Sequence, residues 1–199
     1  QQVRQENEQS MVLRVHNLYP KDSRAVYKKF GGYDMRQYGK LEMFVHAEAL
    51  TEDDTNLGDN DLKLFIRLGS DYQNNYYEYE VPLKFTPWYT SATQDVVIWP
   101  EENTIEIDFE ELIQVKNNRN RALGTNNVQS NRVYSDLDGR NKIKVLGNPT
   151  ISEVRSMMIG IRNPKNNNEV DTDRSAIVWI NELRLTDLKN SGGWAATGR

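Results

Sequence analysis

Along most of this chain apolar and polar residues alternate with a period of two, the signature of strands with one face turned to a core. The alternation is plainest near the end, in SAIVWINELRLTDL, Ser175 to Leu188. It puts Ile177, Trp179, Leu183 and Leu185 on one face and Val178, Ile180, Glu182 and Arg184 on the other. The first half is apolar on both faces and the second half on one. A strand that enters between two layers and leaves beside solvent has that pattern. It is expected at the centre of a sheet, with Trp179 and Leu183 in the core.

The same reading carries through the rest. Met11, Leu13 and Val15 alternate in a first strand that Pro20 ends. Ala25 to Phe30 is read as one helical turn before Gly31-Gly32. In KLEMFVHAEAL, Leu41, Met43, Val45, Ala47 and Ala49 share a face, and Glu42, Phe44, His46 and Glu48 share the other. After the acidic loop Thr51 to Asn60, DLKLFIRLG places Leu62, Leu64, Ile66 and Leu68 together, opposite Lys63, Phe65 and Arg67. The two segments are expected to pair as a hairpin whose outer face sets acids against bases. Tyr76 to Leu83 alternates again, with Pro82 marking an edge or a strand end. DVVIW is read as a short strand stopped by Pro100, and Thr104 to Phe109 as another. Asp108 then caps a helix of about ten residues in which Phe109, Leu112, Ile113 and Lys116 recur at helical spacing. Asp138-Gly139 signals a hairpin between VYSDL and KIKVL. VRSMMIGIRN is apolar on both faces and therefore central. Eight to ten short strands with one short helix indicate an all-β jelly-roll sandwich.

Composition narrows the function. A chain of 199 residues with a formal net charge of −4 has no basic footprint, which argues against nucleic acid as a partner. No run approaches the roughly 20 apolar residues of a membrane helix. The start at Gln1 is read as that of a segment cut from something longer. The absence of cysteine removes disulfides, thiolate catalysis and cysteine-bound zinc.

Chemistry-bearing clusters are sparse. His16 and His46 are the two histidines, and His46 shares its face with Glu42 and Glu48, as a salt-bridged surface residue would. HExxH, GxSxG and phosphate-binding glycine loops are all missing. The acidic loop offers Glu52, Asp53, Asp54, Asp59 and Asp61, but an EF-hand register from Asp53 puts leucines where oxygens are required, so a solvated tip is expected. Tyr72, Tyr76, Tyr77, Tyr79, Trp88 and Tyr89 form an aromatic tract. Tyr77 and Tyr79 are read as core, and Trp88 as a plug at one end of the sandwich. No enzyme activity, metal or cofactor is expected.

Several stretches in order resemble one family. They are Ala25 to Leu50, Asn75 to Leu83, Gly147 to Pro164 and Trp179 to Arg199. Together they are similar to the SprA/Sov family, very large outer-membrane proteins of Bacteroidetes that serve gliding motility and form the translocon of type IX secretion. The resemblance implies a non-catalytic accessory domain, residues 1–188, carried by a giant β-barrel on its periplasmic or cell-surface side, with 189–199 as a tail. Implied partners are other segments of the same barrel protein and secretion-system components, with secreted proteins or polysaccharide as further ones. A broader similarity, in the LxMFV and WINELRL strands, is to galactose-binding-like and carbohydrate-binding jelly rolls. Those modules often hold a calcium through an aspartate of the closing strand; here that position is Asn181, followed by Glu182, and the aspartate is lost. The alternative function is accordingly a module that recognises surface polysaccharide. Partner-binding residues are expected on the outer face of the first hairpin: Phe44, His46, Phe65 and Arg67.

Overall fold

The protein was analysed as a computed structural model that describes residues 10–51, 57–91, 93–124, 134–138, 140–164 and 172–189. In chain order the elements are β1 (Met11–Leu18), β2 (Ser23–Tyr33), β3 (Lys40–Ala49), β4 (Lys63–Gly69), β5 (Tyr76–Pro82), α1 (Asp95–Ile98), β6 (Ile105–Asp108), α2 (Phe109–Leu123), β7 (Tyr134–Asp138), β8 (Asn141–Leu146), β9 (Val154–Arg162) and β10 (Arg174–Thr186). They build two antiparallel sheets. Sheet A has the order β1-β10-β3-β6, and sheet B the order β2-β9-β4-β5-β8-β7. Six of the connections, from β1–β2 to β9–β10, cross between the sheets, the winding of a jelly roll.

The core lies between the layers. Leu41, Met43, Val45 and Ala47 of β3 meet Leu64, Ile66 and Leu68 of β4, Tyr77, Tyr79 and Val81 of β5, and Met157, Ile159 and Ile161 of β9. Each fully buried aliphatic side chain contributes roughly 1.5–3 kcal/mol. Helix α2 bridges β6 of sheet A and β8 of sheet B through Phe109, Leu112 and Val115. Its Asp108 cap accepts a 2.7 Å hydrogen bond from the Glu110 amide. The helix runs for 15 residues, longer than expected. Its last turns are held by buried Arg119, which donates to the Gly147 carbonyl at 2.6 Å.

Five expectations are corrected. Ala25–Phe30 is not a helical turn but the middle of β2, whose Ala-Val-Tyr-Lys-Lys run pairs residue by residue with β9. Strands β3 and β4 do not form a hairpin: β3 pairs with β10 and β6, and β4 with β5 and β9. Their leucine rows instead face each other across the core, and the connection between them is far too long for a tight turn. DVVIW is not a strand; Asp95–Ile98 forms the single turn α1, with Val96 83% exposed. Trp88 does not plug the sandwich but is exposed.

The fifth correction concerns β10. It does lie centrally in sheet A, but Trp179 and Leu183 are not in the core. Ala176, Val178 and Ile180 point inward, while Trp179 is half-buried on the outer face. A β-bulge between Asn181 and Arg184, with Glu182 at φ 53°, then changes the phase. After it Leu185 packs toward the core, and Leu183 is 48% exposed. The acidic-loop residues 52–56, the polar tip 165–171 and the tail from 190 lie outside the described residues.

Candidate binding faces of the sandwich

The four residues expected to share a face fall into two pairs on opposite sides of the molecule. Phe44 and His46 lie on the outer face of sheet A, and Phe65 and Arg67 on the outer face of sheet B.

On sheet B, Phe65 is 2% exposed. It pairs with Gly160 of β9, where a Cβ would come within 2.5 Å of the Phe65 ring, so the glycine makes room for the ring to lie across that strand. The guanidinium of Arg162 sits 4.5 Å from the ring centre and that of Arg67 5.3 Å. Arg67 also stacks on Tyr76 at 4.1 Å. Between these cations lie two buried carboxylates from β5. Glu78 accepts from Arg67 Nε at 2.7 Å, from Lys144 Nζ at 3.0 Å and from Arg162 Nη1 at 2.9 Å. Glu80 accepts from Lys144 at 2.9 Å, from Lys63 at 3.3 Å and from Arg162. Burial alone would raise the Glu78 carboxyl; the hydrogen bonds and charge of Arg162, with the charges of Lys144 and Arg67, outweigh it and hold it at about 2. Burial opposes ionisation of Glu80 too, and Lys144 and Arg162 again prevail, so it lies below the usual carboxylate range. All four cations and both acids are engaged, so this face is an internally satisfied ionic lattice. Sequence reading missed it, although Glu-Tyr-Glu in β5 and Lys-Ile-Lys in β8 carried its alternation.

Sheet A presents a different surface. Val12 of β1, Trp179 of β10 and His46 of β3 lie side by side across three strands. The His46 ring is 4.8 Å from that of Trp179 and 5.8 Å from that of Trp99. His46 is buried rather than solvated, because the connection from β5 to β6 folds over it. The Ile98 carbonyl, 2.7 Å from Nδ1, can only accept, so that nitrogen carries a proton. The Thr86 hydroxyl, which donates to the Val97 carbonyl at 3.1 Å, lies 3.1 Å from the same nitrogen. Glu48 stands 3.5 Å from Nε2. The covering segment is itself pinned: the Thr86 amide donates to the Ala47 carbonyl at 2.8 Å, and fully buried Asn103 exchanges two 2.7 Å hydrogen bonds with the Lys84 backbone.

Ser10, His46, Ile98, Trp99, Trp179 and Asn181 line a cleft of about 310 Å³ on this face. Phe44, opposite Asn181, continues the aromatic surface, with the Arg184 guanidinium 5.5 Å from its ring. Arg184 is paired with Glu42 at 3.4 Å and Glu182 at 3.2 Å, so charges border the apolar centre. Trp99 and Trp179 were not foreseen here. One was read into a strand that is a helix turn, the other onto the wrong side of β10.

The described residues contain no group of three or more histidines and acids placed to hold a metal. None of their helices is long and apolar enough to cross a membrane, which says nothing of spanning by strands.

No curated protein matches the chain. A family model does, over residues 1–199, in keeping with the resemblance drawn from the strand motifs; its family is described as motility related/secretion protein. The match covers the chain from end to end, and the protein belongs to this SprA_N family of motility related/secretion proteins.

Proposed function

We propose that this sandwich is a non-catalytic accessory domain of a larger motility and secretion protein, and that it docks partners through the outer face of sheet A. The observation that carries the reading is the open aromatic cleft between Trp99 and Trp179, continued by Phe44 and bordered by the Glu42–Arg184–Glu182 charges. An apolar aromatic centre with a polar rim is the anatomy of an interface, and tryptophans are over-represented among residues that dominate binding. Around Phe65 the described outer face of sheet B offers no such surface, since that ring is buried beneath paired cations. The fitting partners are other segments of the same outer-membrane barrel protein or components of the secretion system, with the domain on the periplasmic or cell-surface side.

A second reading uses the same cleft. Two indole faces with the Asn181 amide and the Ser10 hydroxyl at their edge suit a neutral sugar ring, as in a polysaccharide-recognising module. One experiment separates the two. Phe44→Ser with Trp179→Ser is placed in the whole secretion protein, and secretion is measured beside abundance of the protein. Partner docking predicts normal abundance and a secretion defect of about tenfold or more. Normal secretion, with loss only of polysaccharide-induced quenching of tryptophan fluorescence in the isolated chain, would replace docking by the sugar reading.

A further inference from the structure

Among the described residues, β2 ends sheet B and is hydrogen-bonded on one side only, to β9. Its other edge presents a row of backbone N–H and C=O groups that no strand of the described residues takes up. Natural sheets usually keep such edges short, bulged or covered. This one is 11 residues long, and Ser23 to Lys29 run without a bulge. Nearly every residue of it is exposed on both faces, Val26 by 43% and Tyr27 by 54%. β-Branched and aromatic residues in a straight ladder are well suited to pair with another strand.

Charge indicates what kind of strand. Between Ser23 and Tyr33 stand Arg24, Lys28 and Lys29 and no acid. Arg24 is held by Asp22, but no carboxylate of the described residues pairs with Lys28 or Lys29. The neighbouring outer face of sheet B adds four cations to two carboxylates. At the far end of β2 lies an apolar groove of about 390 Å³, lined by Phe30, Tyr33, Met157, Leu183 and Leu185 among others. A second copy of β2 would bring lysines against lysines and is disfavoured. We propose that the free edge of β2 receives an extended, acidic segment of a partner polypeptide, which adds to sheet B as a seventh strand. The inference is independent of the sheet A face, which lies on the other layer.

The test uses the 199-residue chain and three fluorescent peptides of about nine residues: alternating Glu-Val, alternating Lys-Val and alternating Glu-Pro. The Glu-Pro peptide keeps the acids but lacks the alternate N–H groups and the strand geometry. Anisotropy should show saturable binding of Glu-Val, and binding at least about tenfold weaker for the other two. Lys28→Glu with Lys29→Glu, both on the surface, should weaken Glu-Val about tenfold while the chain melts as before. Amide exchange of Ala25 to Lys29 should slow in the Glu-Val complex. Failure of Glu-Val to bind, equal binding of Glu-Pro, or indifference to the lysine reversals would each overturn the proposal and leave Lys28 and Lys29 as charges that keep the edge unpaired.

Discussion

Trp179 and Ile180 are neighbours with opposite duties. Ile180 points into the core, whereas Trp179 rests on the His46 ring beside an open cleft. Truncation of each should therefore differ in the order opposite to their sizes. Ile180→Ala removes buried volume and should cost about 2–5 kcal/mol. Trp179→Ala removes one wall of a partly open cleft and should cost about 1–2 kcal/mol. Denaturant melts of the two variants check this; a larger loss for Trp179 would place its ring in the core. The sequence reading erred here for a physical reason. Both faces of this half-strand are apolar, so alternation identifies two faces without saying which is inner. The bulge at Asn181–Arg184 then breaks the period, and nothing local in Ile-Asn-Glu-Leu-Arg announces a positive φ at Glu182. His46 shows the converse limit: its neighbours Glu42 and Glu48 looked like a solvated surface, but the segment that buries it comes from some fifty residues further along.

Among elements, the ionic lattice ties β4, β5, β8 and β9 together through Glu78 and Glu80. Glu78 is held at about 2 in the fold, below the usual value of 4.5. A depressed acid stabilises fully above its unfolded value and loses that contribution as pH falls through the folded one. Stability should thus decline as pH drops from about 5 to about 2, by something on the order of 3 kcal/mol from this group alone. Glu78→Gln should flatten that decline. At neutral pH it should destabilise by about 3–5 kcal/mol, because three cations lose the negative charge they share and an amide NH2 donor faces them. Urea melts across this pH range read both effects; an unchanged acid limb in the variant would show that the lattice does not set it. The strands themselves were legible from period-two alternation, and α2 from its cap and spacing. Strand β2 was not, since Gly31-Gly32 and a short Lys-Lys-Phe run imitate a helix end. Its conformation comes instead from the ladder with β9.

For the whole molecule, alternation revealed a two-layer sandwich but not which strand belongs to which layer. Strands β3 and β4 carry matching apolar rows, and such rows can lie side by side or face to face. Here β3 pairs with β10 and β6, and β4 with β5 and β9, so the two rows lie face to face. Their outer residues consequently part company, and a single expected face becomes two. One, around Phe65, is closed by its own ions. The other, around Phe44, His46, Trp99 and Trp179, stays open. The docking account rests on that difference, and side-chain footprinting by hydroxyl radicals tests it most directly. Phe44, Trp99 and Trp179 are compared between the free 199-residue chain and the assembled secretion protein. The account predicts that all three are oxidised in the free chain and protected in the assembly, while Phe65 is protected in both. Equal oxidation of the three aromatics in both states would contradict it.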